Sequence, residues 1–362
     1  MEVMHLLNFT VGPVASHEDV LKIGSMSTPY FRTDTFSNIL RDNEKMMLDL
    51  LHAPEKSKCV FLTASGTGAM ESCVMNVLNE ADNVLVVNGG SFGQRFVELC
   101  NLHQRKITEI SVSYGAQLKK EQLYLYSNQG YSALLVNMHE TSSGLLYDME
   151  LIAEFCRANN ILFIIDAISA FIADELDMSL LNADVVITSS QKALAVQPGI
   201  SILALSERAI KRINENEERC MYLSLKEALK NAERGQTPWT PAVTILLQIH
   251  ARLTNIYQQG GIGAEQAKIK ALAEEFRTKI KGLPFDIVAE STSNAVTALH
   301  PLSAKASDIV RILDTEFNIW VCPNGGALKD EVFRVGHIGY ISAEDNQKLI
   351  DALWDMNRRG LL

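Results

Sequence analysis

The chain has 362 residues, of which 47% are hydrophobic and 21% charged, with a formal net charge of −10. That length exceeds what one core usually supports, so two domains are expected, and the composition excludes a disordered chain. The acidic balance argues against a nucleic-acid surface, and no apolar run reaches the roughly 18 residues needed to span a bilayer. The opening Met1-Glu-Val-Met-His-Leu-Leu-Asn8 lacks a basic segment followed by a long apolar one, so no secretory signal is expected. Six scattered cysteines (Cys59, Cys73, Cys100, Cys156, Cys220, Cys322) read as reduced core residues of a cytoplasmic protein. The histidines show no metal-ligand spacing, so no metal is expected.

Seven apolar runs punctuate the first part of the chain: Cys59–Thr63, Asn83–Asn88, Ile107–Val112, Ala133–Asn137, Ile161–Asp166, Asp184–Thr188 and Ile200–Ala204. Several are β-branched throughout, as strands buried on both faces should be. Helical patterns lie between them, for example Ala69–Leu78, Gly93–Gln104 and Leu151–Asn159. The alternation predicts an α/β fold with a mainly parallel seven-stranded sheet flanked by helices. The last two runs are close together, so one connection is a candidate for antiparallel pairing. A charged helical stretch, Glu207–Arg234, leads into the proline-bearing Gly235-Gln-Thr-Pro-Trp-Thr-Pro241. Another helical region follows to about Lys281, interrupted near Gly260. Strands near Asn294–Leu299, Ile319–Cys322 and Val332–Val335, with helices near Ala306–Phe317 and Ala343–Arg358, form a smaller C-terminal α/β domain. The division falls between residues 1–260 and 261–362.

Ligands of open α/β sheets sit beyond the carboxyl ends of the strands. The first strand ends in Ala64-Ser-Gly-Thr-Gly-Ala69, where Ser65, Gly66, Thr67 and Gly68 can cradle a phosphate at a helix start. The second delivers Asn88-Gly-Gly-Ser-Phe-Gly-Gln94, placing the aromatic Phe92 where it can stack on a planar ring. The fourth ends in the hydroxyl-rich His139-Glu-Thr-Ser-Ser-Gly144. The fifth gives Asp166-Ala-Ile-Ser169, whose Ile168 can cover the other ring face, and the sixth gives Ser189-Ser-Gln-Lys-Ala-Leu194. An acid and a lysine ending two strands of one sheet suit pyridoxal phosphate. Lys192 can condense with its aldehyde, and Asp166 can pair with the protonated pyridine nitrogen. Each residue alone has an ordinary explanation, Asp166 as a helix cap and Lys192 as a solvated charge. Their concurrence carries the reading.

In order and spacing these segments resemble the class V aminotransferases, most of all the alanine–glyoxylate, serine–pyruvate and 2-aminoethylphosphonate–pyruvate branch. The resemblance runs from Asn8-Phe-Thr-Val-Gly-Pro13 to the final helix. It implies a fold-type I, pyridoxal-phosphate-dependent transferase working as a homodimer with shared active sites. Lys192 then matches the lysine that anchors the cofactor, and Asp166 the partner of the pyridine nitrogen. Phe92 takes the stacking position. Ser65, Gly66, Thr67 and Gln191 fall at phosphate-binding positions, and Ser142 in the loop reaching the cofactor. Thr237 and Thr240 match a segment supplied to the neighbouring subunit's phosphate. Arg334, in Val332-Phe-Arg-Val-Gly-His-Ile-Gly339, matches the arginine that holds a substrate carboxylate, and Gly12 a backbone contact beside it. Arg32 lies in Phe31-Arg-Thr-Asp-Thr-Phe36, a segment that departs from the family pattern at Phe31 and Asp34.

The reaction implied has two halves. An amino donor gives up its amino group and leaves as a 2-oxo acid, and a second 2-oxo acid then takes the group. Lys192 moves the Cα proton if its pKa is lowered, which a buried cationic site favours. Alanine, serine or 2-aminoethylphosphonate are donors that suit the branch, with pyruvate or glyoxylate as acceptor. A phosphonate donor calls for a second cation, Arg32 or Arg95, of which Arg95 reads more as an ion-pair residue. A cysteine desulfurase is a second reading, with Cys322 as the sulfur carrier. Against it, Cys322 is only twelve residues from Arg334 (334 − 322), and Gln191 stands where those enzymes usually have histidine. A non-catalytic binding protein is a third reading, but it would have no use for the chemistry of Lys192, Asp166 and Arg334.

Overall fold

The computed structural model describes residues 6–362 of the chain. The signal-free reading of the N-terminus falls mostly on residues 1–5, outside those described. Strand β1 (Leu7–Phe9) comes first, followed by β2 (Lys58–Thr63), β3 (Asn83–Asn88), β4 (Lys106–Ser111) and β5 (Ala133–Asn137). Then come the two-residue strands β6 (His139–Glu140) and β7 (Leu145–Leu146), β8 (Leu162–Asp166), β9 (Val185–Ser189) and β10 (Ile200–Leu205). The C-terminal part supplies β11 (Phe285–Ile287), β12 (Val296–Pro301), β13 (Ile319–Pro323) and β14 (Phe333–Gly336).

Seven strands form one sheet in the order β2-β10-β9-β8-β5-β3-β4. All pairs are parallel except those of β10, which runs against both β2 and β9. The expected antiparallel connection is therefore β9 to β10. Successive residues of each inner strand serve opposite cores: Leu134, Val136, Phe163 and Ile165 face one, Leu135, Leu162, Ile164 and Ile187 the other. Such two-sided burial explains why these strands read as unbroken apolar runs. Each large side chain so buried contributes about 1.5–3 kcal/mol.

The smaller sheet has the order β1-β13-β14-β12-β11 and its own apolar cluster, which includes Phe276, Phe333 and Leu353. Its first strand comes from the far N-terminus: β1 lies parallel to β13, pairing Leu7 with Ile319 and Phe9 with Val321. The charged stretch after β10 is two helices, Glu207–Glu215 and Leu225–Ala232. Asn216 turns to an extended conformation and ends the first, and the Ser224 hydroxyl caps the second. Helices Val243–Gln258 and Ile262–Lys279 meet at Gly260 and Gly261, both at positive φ. The buried Arg252 guanidinium bonds Glu265 across that corner at 2.7 and 3.3 Å. No helix among the described residues is long and apolar enough to cross a membrane.

Candidate active site

The carboxyl ends of β2, β3, β5, β8 and β9 open onto one rim, because β10 alone is reversed. At β2 the chain turns at Ser65 into helix Gly66–Asn76. Ser65 holds the N-cap position, yet its hydroxyl makes no capping bond. A Cβ on Gly66 would lie 2.5 Å from Ile168 Cδ1, so a larger residue there would displace the Ile168 side chain. Thr67 follows on the first turn, where free N–H groups and the helix dipole favour an anion.

Phe92 is half-buried in the first turn of helix Ser91–Leu102. The Phe92 and Gly93 N–H groups donate to Glu140 Oε2 at 3.2 and 3.1 Å. Glu140 also accepts from Asn137 Nδ2 at 2.9 Å, from the Ser142 N–H at 3.2 Å and from the Ser142 hydroxyl. This fully buried carboxylate ties the helix start to the 139–144 loop. The Ser142 hydroxyl, expected at the cofactor, is donated to Glu140. Arg95 lies over Phe92, its guanidinium carbon 4.9 Å from the ring centroid, and forms no ion pair among the described residues.

Asp166 ends β8 and is buried. One carboxylate oxygen accepts the Ile168 N–H at 2.8 Å, and no protein hydrogen bond reaches the other among the described residues. Burial, reinforced by the Glu140 charge, pushes the Asp166 pKa up to about 6, against the pull of the Ile168 N–H and Lys192. Lys192 follows β9, and its Nζ donates to the Val11 carbonyl at 2.6 Å. Gly12 packs against it at φ +114°, where an added Cβ would meet Lys192 Cδ at 2.7 Å and the Gln191 carbonyl at 3.0 Å. Burial brings the Lys192 pKa down to about 8; Arg334 and Arg95 act the same way, while Cys322 and Asp166 oppose. His139 is pushed down to about 3, first by burial and then by Lys192 and Arg334, so it is neutral in the working range.

Arg334 lies on β14 at 9% exposure, between the end of β13 and the 139–144 loop. Its Nη1 donates to the Thr141 carbonyl at 3.3 Å, and its Nη2 to the Pro323 carbonyl at 2.7 Å and to Cys322 Sγ at 3.1 Å. Asn324 adds a second tie between the two sheets, donating to the Ser142 carbonyl at 2.9 Å and to the Tyr114 hydroxyl at 3.1 Å.

Arg32, Thr237 and Thr240 form a separate group. Arg32, expected at the substrate, donates instead to Gln236 Oε1 and to the Thr237 and Pro238 carbonyls at 3.1–3.3 Å. The Thr237 hydroxyl donates to the Trp239 carbonyl at 2.7 Å, whereas Thr240 is exposed. Among the described residues no hydrogen bond joins this group to Lys192, Asp166 or Arg334. Sequence reasoning missed Glu140, Tyr114 and Asn324. Only Glu140 left a trace, as the one acid within the hydroxyl-rich segment His139–Gly144.

Compared with known proteins, residues 25–327 match the family model described as Aminotransferase class-V. An uncharacterized aminotransferase of Helicobacter pylori (strain J99) is 29% identical over 355 residues, spanning 96% of this chain and 93% of the relative. The solved aspartate aminotransferase of subgroup IV from Thermus thermophilus has a TM-score of 0.90 at 24% identity, covering 98% of this chain and 99% of that one. The alanine–glyoxylate aminotransferase from Nostoc sp. has a TM-score of 0.92 at 23% identity, covering 99% and 97%. At these identities the two structures establish the common fold-type I architecture.

Proposed function

Because the chain belongs to the class V aminotransferases, whose fold implies pyridoxal phosphate, we propose that it moves an amino group from a small amino acid to a small 2-oxo acid. Alanine or serine is the donor in this reading, and pyruvate or glyoxylate the acceptor. One observation carries it: a lysine of lowered pKa and a buried arginine sit at the same rim as a buried, half-satisfied carboxylate.

The residues fit the cofactor. Ser65, Gly66 and Thr67 would hold its phosphate, with Gln191 beside them, and Phe92 and Ile168 would cover its ring. The free oxygen of Asp166 would take the pyridine N–H, and Lys192 would anchor the group covalently. Ser142 acts through Glu140, holding the loop. When bound, pyridoxal phosphate supplies an electron sink for the charge left on the substrate Cα. Lys192 Nζ takes the Cα proton as a neutral amine, a form that a pKa of about 8 makes accessible near neutrality. Arg334, held by two backbone carbonyls, orients the substrate carboxylate beside Gly12.

A 2-aminoethylphosphonate donor is disfavoured because Arg32 is committed to the 236–238 segment and Arg95 lies over Phe92. We assign Arg32 to holding the segment that presents Thr240 to a second subunit's cofactor phosphate, in a homodimer; the buried Thr237, expected to share that role, spends its hydroxyl on the Trp239 carbonyl and shapes the segment. The exposed Thr240, Met221 and Tyr222 around that segment support a covered surface. The same reading divides the chain at 260/261, with β1 lent to the smaller sheet, and assigns a cytoplasmic setting, supported by six free cysteines.

The test is a donor–acceptor panel followed by the visible absorbance of the loaded enzyme. Lys192→Ala is expected to abolish turnover while the protein stays folded. Arg334→Lys keeps the charge but loses the fork, so kcat/KM for carboxylate substrates should fall roughly ten- to hundredfold. Transamination by Lys192→Ala at the parent rate would reject the assignment.

A further inference from the structure

We infer that Cys322 is a specificity-determining residue, its sulfur competing with the substrate carboxylate for Arg334. The inference rests on the reading of Arg334 as the carboxylate-binding group. Cys322 and Arg334 are direct partners across β13 and β14, so their side chains leave the sheet on the same face. The sulfur lies 3.1 Å from Nη2, and Cys322 is half-buried.

The hydrogen inventory of the guanidinium gives the argument its content. Arginine has five N–H hydrogens, two on each Nη and one on Nε. The Thr141 carbonyl takes one from Nη1 and the Pro323 carbonyl one from Nη2. Cys322 Sγ takes the other Nη2 hydrogen. That leaves a hydrogen on Nη1 and the one on Nε, which is buried and donates to nothing. A carboxylate gripping both Nη atoms, with the backbone bonds kept, therefore needs the hydrogen now on the sulfur. A thiol is a weak acceptor and yields it readily, whereas an oxygen acceptor would not. Cys322 thus keeps Arg334 oriented without holding it against substrate. An acid at the same position would act as a built-in carboxylate and shut the subsite.

The holoenzyme loaded with pyridoxal phosphate provides the test. Alkylation of Cys322 by iodoacetamide, in which the thiol proton is lost to solvent and an S–C bond forms as iodide leaves, is followed by mass spectrometry. Saturating pyruvate should slow it about tenfold, because a carboxylate on Arg334 covers the sulfur. Cys322→Ala should lower KM for pyruvate by about three- to tenfold, the change in kcat/KM being carried by KM. Cys322→Asp should raise KM at least about tenfold for carboxylate substrates. If that variant fails to fold, the alkylation measurement on the parent still decides. An alkylation rate indifferent to pyruvate, with KM unmoved in Cys322→Ala, overturns the inference while a raised KM in Arg334→Lys leaves the Arg334 reading standing. If Arg334→Lys leaves KM unchanged too, the reading of Arg334 falls and the Cys322 inference goes with it.

Discussion

Lys192 carries its own thermodynamic signature. Folding buries its amine and lowers the pKa from the ordinary 10.5 to about 8. Between those values the unfolded chain binds more protons than the folded one, so this group makes stability rise with pH across that window. Below about pH 8 the cost is fully present, on the order of 3 kcal/mol at about 1.4 kcal/mol per pKa unit. Cofactor-free Lys192→Met should accordingly be more stable than the cofactor-free parent at neutral pH, with the advantage fading toward pH 10.5. Urea denaturation at several pH values measures it, and a pH-independent difference would mean the amine titrates as it does in water. Lys192 and Asp166 were legible because each ends an apolar run, and a sheet brings such ends to one rim. The Cys322–Arg334 contact was not, since it depends on the register of β13 against β14, and nothing in either segment encodes that register alone.

Among the elements, helix Ser91–Leu102 depends on an anion that it does not itself contain. Its first N–H groups are satisfied by Glu140, 47 residues downstream of Gly93. No local capping signal could announce such a partner, whereas Asp148 caps its own helix by bonding the Leu151 N–H and follows an ordinary pattern. Replacing Glu140 with glutamine removes the charge and turns an N–H donor toward other donors. A loss of about 1.5–3 kcal/mol is expected, read by chemical denaturation. Loosening of the Phe92 turn should accompany it, seen as faster amide exchange at Phe92 and Gly93. Unchanged stability and exchange would relegate Glu140 to a bystander. The long inner strands were readable from their unbroken apolar runs. β1, β11 and the β6–β7 hairpin escaped notice because two or three residues carry no period.

For the molecule as a whole, the proposed dimer ties cofactor retention to association. If Thr240 serves the partner's phosphate, dilution to monomer should weaken pyridoxal phosphate binding together with activity, because the two equilibria are linked. Analytical ultracentrifugation alongside cofactor absorbance tests this; a monomer retaining full affinity would refute it. The parallel pairing of β1 with β13 also has a consequence for biosynthesis. The large sheet has all its strands once residue 205 has been made, and Lys192 is by then in place at its rim. Val11 and Gly12, which lie against that lysine, follow a strand whose neighbour in the sheet, among the described residues, is residues 319–323. On the ribosome, therefore, β1 cannot pair in its sheet until residues 319–323 have been made. A chain that stopped short of residue 319 would hold every strand of the large sheet and Lys192, but would lack the strand that β1 pairs with.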